Sequence, residues 1–189
     1  MDKRVIVGVS GASGVILGLY TAKALKAADV EVHMIVSDAA RRTWELETDR
    51  SFSDLTKLAD VLYDVDDMAA KISSGSFRTM GMLVVPCSMK TLAGIVTGYA
   101  DNLLLRAADV CLKENRRVVL CPREMPLGKL HLQNLCRAAE LGCAIVPPML
   151  SFYSGQTTVE DHIHHIVGKL LMQLDLDYVN FCEWEGDAR

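Results

Sequence analysis

Several short segments of this chain carry residue types that handle anions and protons. Gly8-Val9-Ser10-Gly11-Ala12-Ser13-Gly14 joins a hydrophobic run to a helical pattern. A glycine-rich turn of that kind lets backbone N–H groups and a helix N-terminus approach a phosphate. Its serines add hydroxyls that can bond phosphate oxygens or stand beside a reacting atom. The glycines fall at 8, 11 and 14, which is not the G-x-G-x-x-G spacing of dinucleotide enzymes, and a plain strand-to-helix turn with serine caps is the competing reading. Those enzymes also want an acidic residue at the end of the second strand. Here Ser37 comes first and then Asp38, and Asp38 reads equally as a helix N-cap.

Pro86-Cys87-Ser88-Met89-Lys90-Thr91 is a second turn of phosphate-binding type, with Ser88 and Thr91 flanking a helix start, where both can cap the helix or touch a ligand. Cys87 reads as a packed thiol, since no histidine lies near it in sequence. Arg106 and Lys113 are seven residues apart and share a helix face, with Asp109 between them at helical spacing. Residues alone favour a solvated ladder there; the alternative is a cationic clamp for a leaving phosphate, oriented by Asp109. Glu47 closes a helix at the unfavourable end of its dipole, which hints at a role other than stability. Arg123-Glu124 places a cation and a carboxylate side by side after a strand, a pair able to bind an anion and handle a proton. His162, His164 and His165 do not form a metal set, because 164 leaves the face that 162 and 165 share, so a polar helix face is expected. His33 and His131 stand alone.

The elements that would position these residues alternate. Strands are expected at Arg4–Val9, Val30–Val36, Met82–Pro86, Arg117–Cys121 and Cys143–Val146. Helices are expected at Val15–Ala28, Asp38–Glu47, Ser53–Ala59, Lys90–Thr97, Asn102–Lys113, Leu127–Leu141 and Val159–Leu174. Helices between short β-branched strands predict right-handed βαβ units and an α/β fold with a parallel sheet covered on both faces. Arg50 to Ser76 is the least regular stretch and reads as surface loops around short helices. In open parallel sheets, ligands bind beyond the carboxyl ends of the strands. That edge receives Ser10–Gly14, Ser37, Cys87–Thr91, Arg123-Glu124 and Pro147-Pro148, with Tyr153 a little later.

The 189 residues suit a single domain with one sizeable core. Half are apolar and only 6% aromatic, and the formal charge is −4. The high apolar share leans toward an oligomer. The absence of a basic run argues against nucleic acid and anionic membrane as partners. The longest apolar stretch, around Gly81 to Met89, is far short of the roughly 20 residues of a spanning helix. With no leader-like segment before the first strand and six cysteines that form no C-x-x-C pair, the expectation is a cytoplasmic protein with reduced thiols and no metal site.

The chain resembles the UbiX-type flavin prenyltransferases, known also as the small B subunits of aromatic-acid decarboxylase systems, from about Arg4 to Leu174. The strings that carry the resemblance are the Gly8–Gly14 turn, Ser37 followed by Ala39-Ala40, Glu47-Thr48-Asp49, Ile72-Ser73-Ser74-Gly75-Ser76 and Pro86–Leu92. They continue with Arg106-Ala107-Ala108-Asp109-Val110, Leu112-Lys113-Glu114, Pro122-Arg123-Glu124-Met125-Pro126 and Phe152-Tyr153.

The resemblance implies a flavodoxin-like Rossmann-type three-layer sandwich, assembled as a homododecamer with FMN near subunit interfaces. It implies a metal-independent transfer of a dimethylallyl group from dimethylallyl phosphate to N5 and C6 of reduced FMN. The prenylated FMN would serve a UbiD-type decarboxylase, and details such as Ser88-Met89-Lys90-Thr91 look most like the branch paired with hydroxybenzoate decarboxylases. By position, Gly11, Ala12, Ser13, Ser37, Ser88, Met89, Lys90, Thr91 and Arg123 would bind FMN. Tyr153, Lys169 and Trp184 would bind the prenyl donor. Ser13, Glu47, Arg106, Lys113 and Glu124 would complete the reacting site. The cations would stabilise the leaving phosphate, the aromatic surfaces would shelter an allylic cation, and the carboxylates would relay protons. Lys169 often appears as arginine in the family, Ser154-Gly155-Gln156 lacks the usual proline-containing loop, and the tail from Asp175 matches poorly apart from Glu183–Gly186. Two rivals remain: a flavin-dependent cysteine decarboxylase with a histidine base, disfavoured because no histidine lies between 33 and 131, and a non-catalytic FMN-binding subunit.

Overall fold

The computed structural model describes residues 3–152 and 155–181. Strands β1 (Arg4–Val9), β2 (Glu31–Val36), β3 (Val61–Tyr63), β4 (Gly81–Cys87), β5 (Arg117–Pro122) and β6 (Ala144–Ile145) form one sheet in the order β3-β2-β1-β4-β5-β6. Every pairing in it is parallel. The helices are α1 (Ile16–Ala27), α2 (Asp38–Glu47), α3 (Ser53–Thr56), α4 (Met89–Thr97), α5 (Leu103–Lys113), α6 (Lys129–Glu140) and α7 (Val159–Met172).

The near-continuous apolar strands are buried on both faces, and alternation sorts their side chains between two cores. Val5, Val7, Val9, Leu83, Val85, Val119 and Cys121 pack with α1 and α7 on one side. Ile6, Met82, Val84, Val118 and Leu120 pack with α4 and α5 on the other. Each fully buried Val, Leu or Ile contributes about 1.5–3 kcal/mol relative to exposure, so a one-residue register slip that exchanged the two sets would disturb both layers.

The five strands expected from sequence are all present and lie in flavodoxin-like order. The structure adds β3 on the edge beside β2, within the stretch expected to be loops. Three residues, one of them half-exposed Leu62, carry too little periodicity to register as a strand. β6 is shorter than expected, and the helix ends differ by one or two residues in most cases, as fraying ends do. The chain runs from β1 to β2 on one side and later returns to β4 on the other side of β1. The connections leaving the carboxyl ends of β1 and β4 therefore run to opposite faces of the sheet and open a crevice between them.

Candidate active site

The crevice between β1 and β4 is held by Ser10, whose hydroxyl the sequence offered as a phosphate contact or a neighbour of the reacting atom. Ser10 is buried. Its hydroxyl donates to the Pro86 carbonyl at 2.9 Å and accepts from the Ser88 N–H at 2.8 Å. The two ligand-facing turns are thus tied together through one Oγ, and a serine at a strand end was the only available signal. Beyond it, Gly11 sits against α2: a Cβ at that position would come within 2.4 Å of the Ala39 Cβ. Gly14 adopts φ +92°, a conformation that favours glycine.

Ser37 caps α2, accepting from the Ala40 N–H at 3.1 Å. Asp38 is therefore not the N-cap but the first helical residue, where its charge suits the helix dipole. Ser88 caps α4 through the Thr91 N–H at 3.2 Å, and its hydroxyl lies 3.0 Å from the Thr91 hydroxyl. The cap and ligand readings of these serines coincide in space. Gly11, Ser37, Ser88, Lys90 and Thr91 all line one cleft of ≈ 500 Å³, which Asp66, Asn102 and Leu104 help to wall. Hydroxyls, three helix N-termini, those of α2, α4 and α5, and apolar side chains in a cleft of that size suit a mononucleotide carrying an aromatic ring system. Met89 and Lys90 occupy the first turn of α4.

Glu47 is resolved by tertiary structure. Its Oε2 accepts from the Gly14 N–H at 2.8 Å and from the Val15 N–H at 3.4 Å. Helix α1 has no capping side chain and no acidic residue in its first turn. Glu47 supplies both from the end of α2, so its carboxylate stands at the favourable end of a different dipole. This places it on the glycine turn beside Ala12 and Ser13, which are half-buried.

Arg123 is brought to the same edge by its N–H, which donates to the Cys87 carbonyl at 3.1 Å. The Arg123 and Glu124 side chains are exposed, and a Glu124 carboxylate oxygen accepts from the Met125 N–H at 3.0 Å. Cys87 is a packed thiol, as expected: it is fully buried, and burial pushes its ionisation well above the usual thiol range.

Arg106 and Lys113 lie on α5 but not among the walls of this cleft. The Arg106 guanidinium donates to Asp109 at 2.7 Å and to the Ser73 carbonyl at 3.2 Å. Lys113 is half-exposed, 3.6 Å from Glu114. Only the Arg106–Asp109 rung of the expected ladder is present, and it fixes the orientation of Arg106; Lys113 pairs with Glu114 instead of Asp109.

Lys169 lines a second cleft, also ≈ 500 Å³, beyond the carboxyl end of β6, with Val146, Pro147, Met149, Phe152 and Ile166. Its ammonium lies 5.2 Å from the Phe181 ring centre. One cation in an apolar wall is a setting for a small hydrocarbon group bearing an anion. Tyr153 and Trp184 lie outside the described residues. The histidines of α7 do not form the uniform polar face expected of them. His165 is buried and lines this cleft, His164 packs edge-on to Tyr20, and His162 meets Phe152. No metal-holding group occurs among the described residues, and the five described cysteines are free.

A family model described as Flavoprotein matches residues 1–173. A protein of Sedimentibacter hydroxybenzoicus described as a probable UbiX-like flavin prenyltransferase is 56% identical over 184 residues, covering 97% of each chain. The chain belongs to the UbiX-like flavin prenyltransferases. Solved members of the family superpose closely. A crystal structure of AnUbiX in complex with FMN and dimethylallyl pyrophosphate matches with a TM-score of 0.96 at 45% identity, over 98% of this chain and 99% of that one. A dodecameric FMN-dependent UbiX-like decarboxylase from Escherichia coli O157:H7 matches with a TM-score of 0.94 at 50% identity, over 97% and 100%. The flavodoxin-like, Rossmann-type fold expected from sequence is therefore the fold of the family. No helix among the described residues is long and apolar enough to cross a membrane.

Proposed function

We propose that this protein is a flavin prenyltransferase, transferring a dimethylallyl group from dimethylallyl phosphate to reduced FMN without a metal. The observation that carries the reading is the seating of Glu47 on the Gly14 and Val15 N–H groups, which puts a carboxylate on the same glycine turn whose Gly11 lines a hydroxyl-lined, mononucleotide-sized cleft. The AnUbiX complex, with FMN and a dimethylallyl donor on the same fold, supports it. Bound reduced FMN would supply N5 and C6 as the two nucleophilic atoms.

The chain's own residues divide the work. Gly11, Ala12, Ser37, Ser88, Met89, Lys90 and Thr91 hold FMN, with Arg123 closing the same strand edge. Glu47 uses Oε2 to anchor itself and leaves Oε1 without a protein partner among the described residues, so Oε1 takes the proton released at flavin N5. Glu124 handles the proton at C6. Ser13 stands where flavin and donor meet. Lys169, with Tyr153 and Trp184, receives the donor. Arg106, Lys113 and Lys169 stabilise the phosphate as the C–O bond to the allyl group breaks, where preorganised positive charge lowers the barrier most.

Arg106 and Lys113 are not among the walls of their own cleft, so this mechanism has them serve a neighbouring copy's donor. Large exposed apolar side chains fit such an assembly: Met125 is 81% exposed, Leu130 67% and Phe152 71%. We propose a homododecamer of single-domain subunits in the cytoplasm, passing prenylated FMN to a UbiD-type aromatic-acid decarboxylase. No histidine lies among the described walls of this cleft, which favours prenyl transfer over a histidine-based cysteine decarboxylase. Anaerobic incubation of the protein with reduced FMN and dimethylallyl phosphate, followed by mass spectrometry of the extracted flavin, tests the reading. A five-carbon adduct is expected; unmodified FMN after full reduction would reject it.

A further inference from the structure

Arg116 lies outside every site assigned so far, yet it makes an unusually complete set of contacts. The turn after α5 passes through Asn115, which adopts φ +54°, and sends Arg116 back toward the loop that precedes β4. There its guanidinium donates to two carbonyls, Gly75 at 2.5 Å and Phe77 at 2.6 Å. A planar fork spanning two acceptors fixes direction as well as distance. The Glu114 side chain occupies the space a Gly75 Cβ would need, within 2.2 Å. The loop's far end is anchored by Phe77, which packs edge-on to His33 and under Arg4.

The near end of the same loop presents the Ser73 carbonyl, and that oxygen is what the Arg106 Nε binds. Arg106 therefore has two orienting contacts, Asp109 on its own helix and Ser73 on the loop. Only the second depends on where the loop sits, and two carbonyls of that loop, at 75 and 77, are held by Arg116.

We infer that Arg116 is a positioning residue for the prenyl donor: by clamping the Gly75 and Phe77 carbonyls it sets the Ser73 carbonyl, and through it the guanidinium of Arg106. This rests on the reading in which Arg106 meets the donor's phosphate. Arg116 itself touches no substrate. An arginine that only stabilised a surface loop would leave donor affinity alone, or would affect it whether or not Arg106 were present.

The experiment is a double-mutant cycle read by calorimetric titration of dimethylallyl phosphate into the FMN-loaded protein, with flavin absorbance and thermal midpoint recorded alongside. Arg116→Gln is expected to retain FMN and weaken donor binding about tenfold. In an Arg106→Ala background the same change is expected to have no further effect. Unchanged donor affinity in Arg116→Gln, or an equal loss with and without Arg106, overturns the inference. If Arg106→Ala itself binds donor normally, the reading of Arg106 fails instead, and the two failures are distinct. Should Arg116→Gln not fold, Arg116→Lys keeps the charge but loses the fork, and the same two outcomes apply to it.

Discussion

Replacing Glu47 by glutamine separates its structural task from its chemical one. In the native protein Oε2 accepts from two backbone N–H groups at the start of α1, at 2.8 and 3.4 Å. A glutamine carbonyl oxygen can take the same place, so neither donor is orphaned. What is lost is the charge: about 0.3–1 kcal/mol of interaction with the α1 dipole, plus the extra strength of a charge-assisted bond over a neutral one, about 1 kcal/mol. Together these amount to roughly 1–2 kcal/mol, or a fall of about 2–8 °C in the thermal midpoint for a chain of this size. FMN absorbance after reconstitution should be unchanged, because the cleft walls are not altered. The chemical loss is larger. A positioned proton acceptor contributes typically 10²–10⁴-fold in rate, so prenylated FMN formation under anaerobic single-turnover conditions should slow by at least about 100-fold. Glu47→Gln with turnover within threefold of the native protein would refute the proton-relay argument. Glu47→Ala distinguishes further: it leaves both N–H groups without the carboxylate, and should lower the midpoint more than Glu47→Gln does.

Three other outcomes are expected. Gly11→Ala places a methyl 2.4 Å from the Ala39 Cβ, so overpacking of about 1–3 kcal/mol should push α2 outward and reduce FMN occupancy, read by flavin absorbance and thermal melting. Stability should fall as pH drops from 7 toward 5.5: burial holds His33 below its ordinary value of 6.5, so the unfolded chain takes up a proton first and the contribution of the neutral ring is lost on acidification. A second fall should follow below 4.5, where the Arg4 hydrogen bond has held Glu31 ionised. His33→Gln should flatten the first step in a pH series of melts, and an unaltered slope would count against it. Cys87, Cys111 and Cys121 should resist iodoacetamide at pH 8 until the protein unfolds, because burial raises all three, Cys111 to about 11 and Cys121 to about 12; peptide mapping reports this directly.

The sequence by itself determined the five main strands, the seven helices and the edge of the sheet where ligands gather, because short continuous β-branched runs and period-3.6 apolar patterns are local properties of the chain. It also located the turns, since glycine at 11 and 14 and serine at 37 and 88 have conformational and capping roles readable from residue type alone. What it left open were questions of partnership. Whether Ser88 caps or contacts a ligand was undecided by spacing, and the structure shows one hydroxyl on the cleft wall doing the capping. Arg106 and Lys113 read as a ladder or a clamp; the hydrogen bond to Ser73, 33 residues away, lies beyond any local pattern. Glu47 stood at the wrong end of its own helix for electrostatic comfort, and only its hydrogen bonds from the Gly14 and Val15 N–H groups showed that it serves the N-terminus of α1. His33 looked isolated until β3 brought Tyr63 to 2.9 Å on one ring nitrogen, while Glu31 met the other at 2.9 Å. Secondary structure follows from neighbours in sequence. The site follows from charges and hydrogen-bonding groups that meet only when the sheet has assembled, and no pattern along the chain encodes those distances.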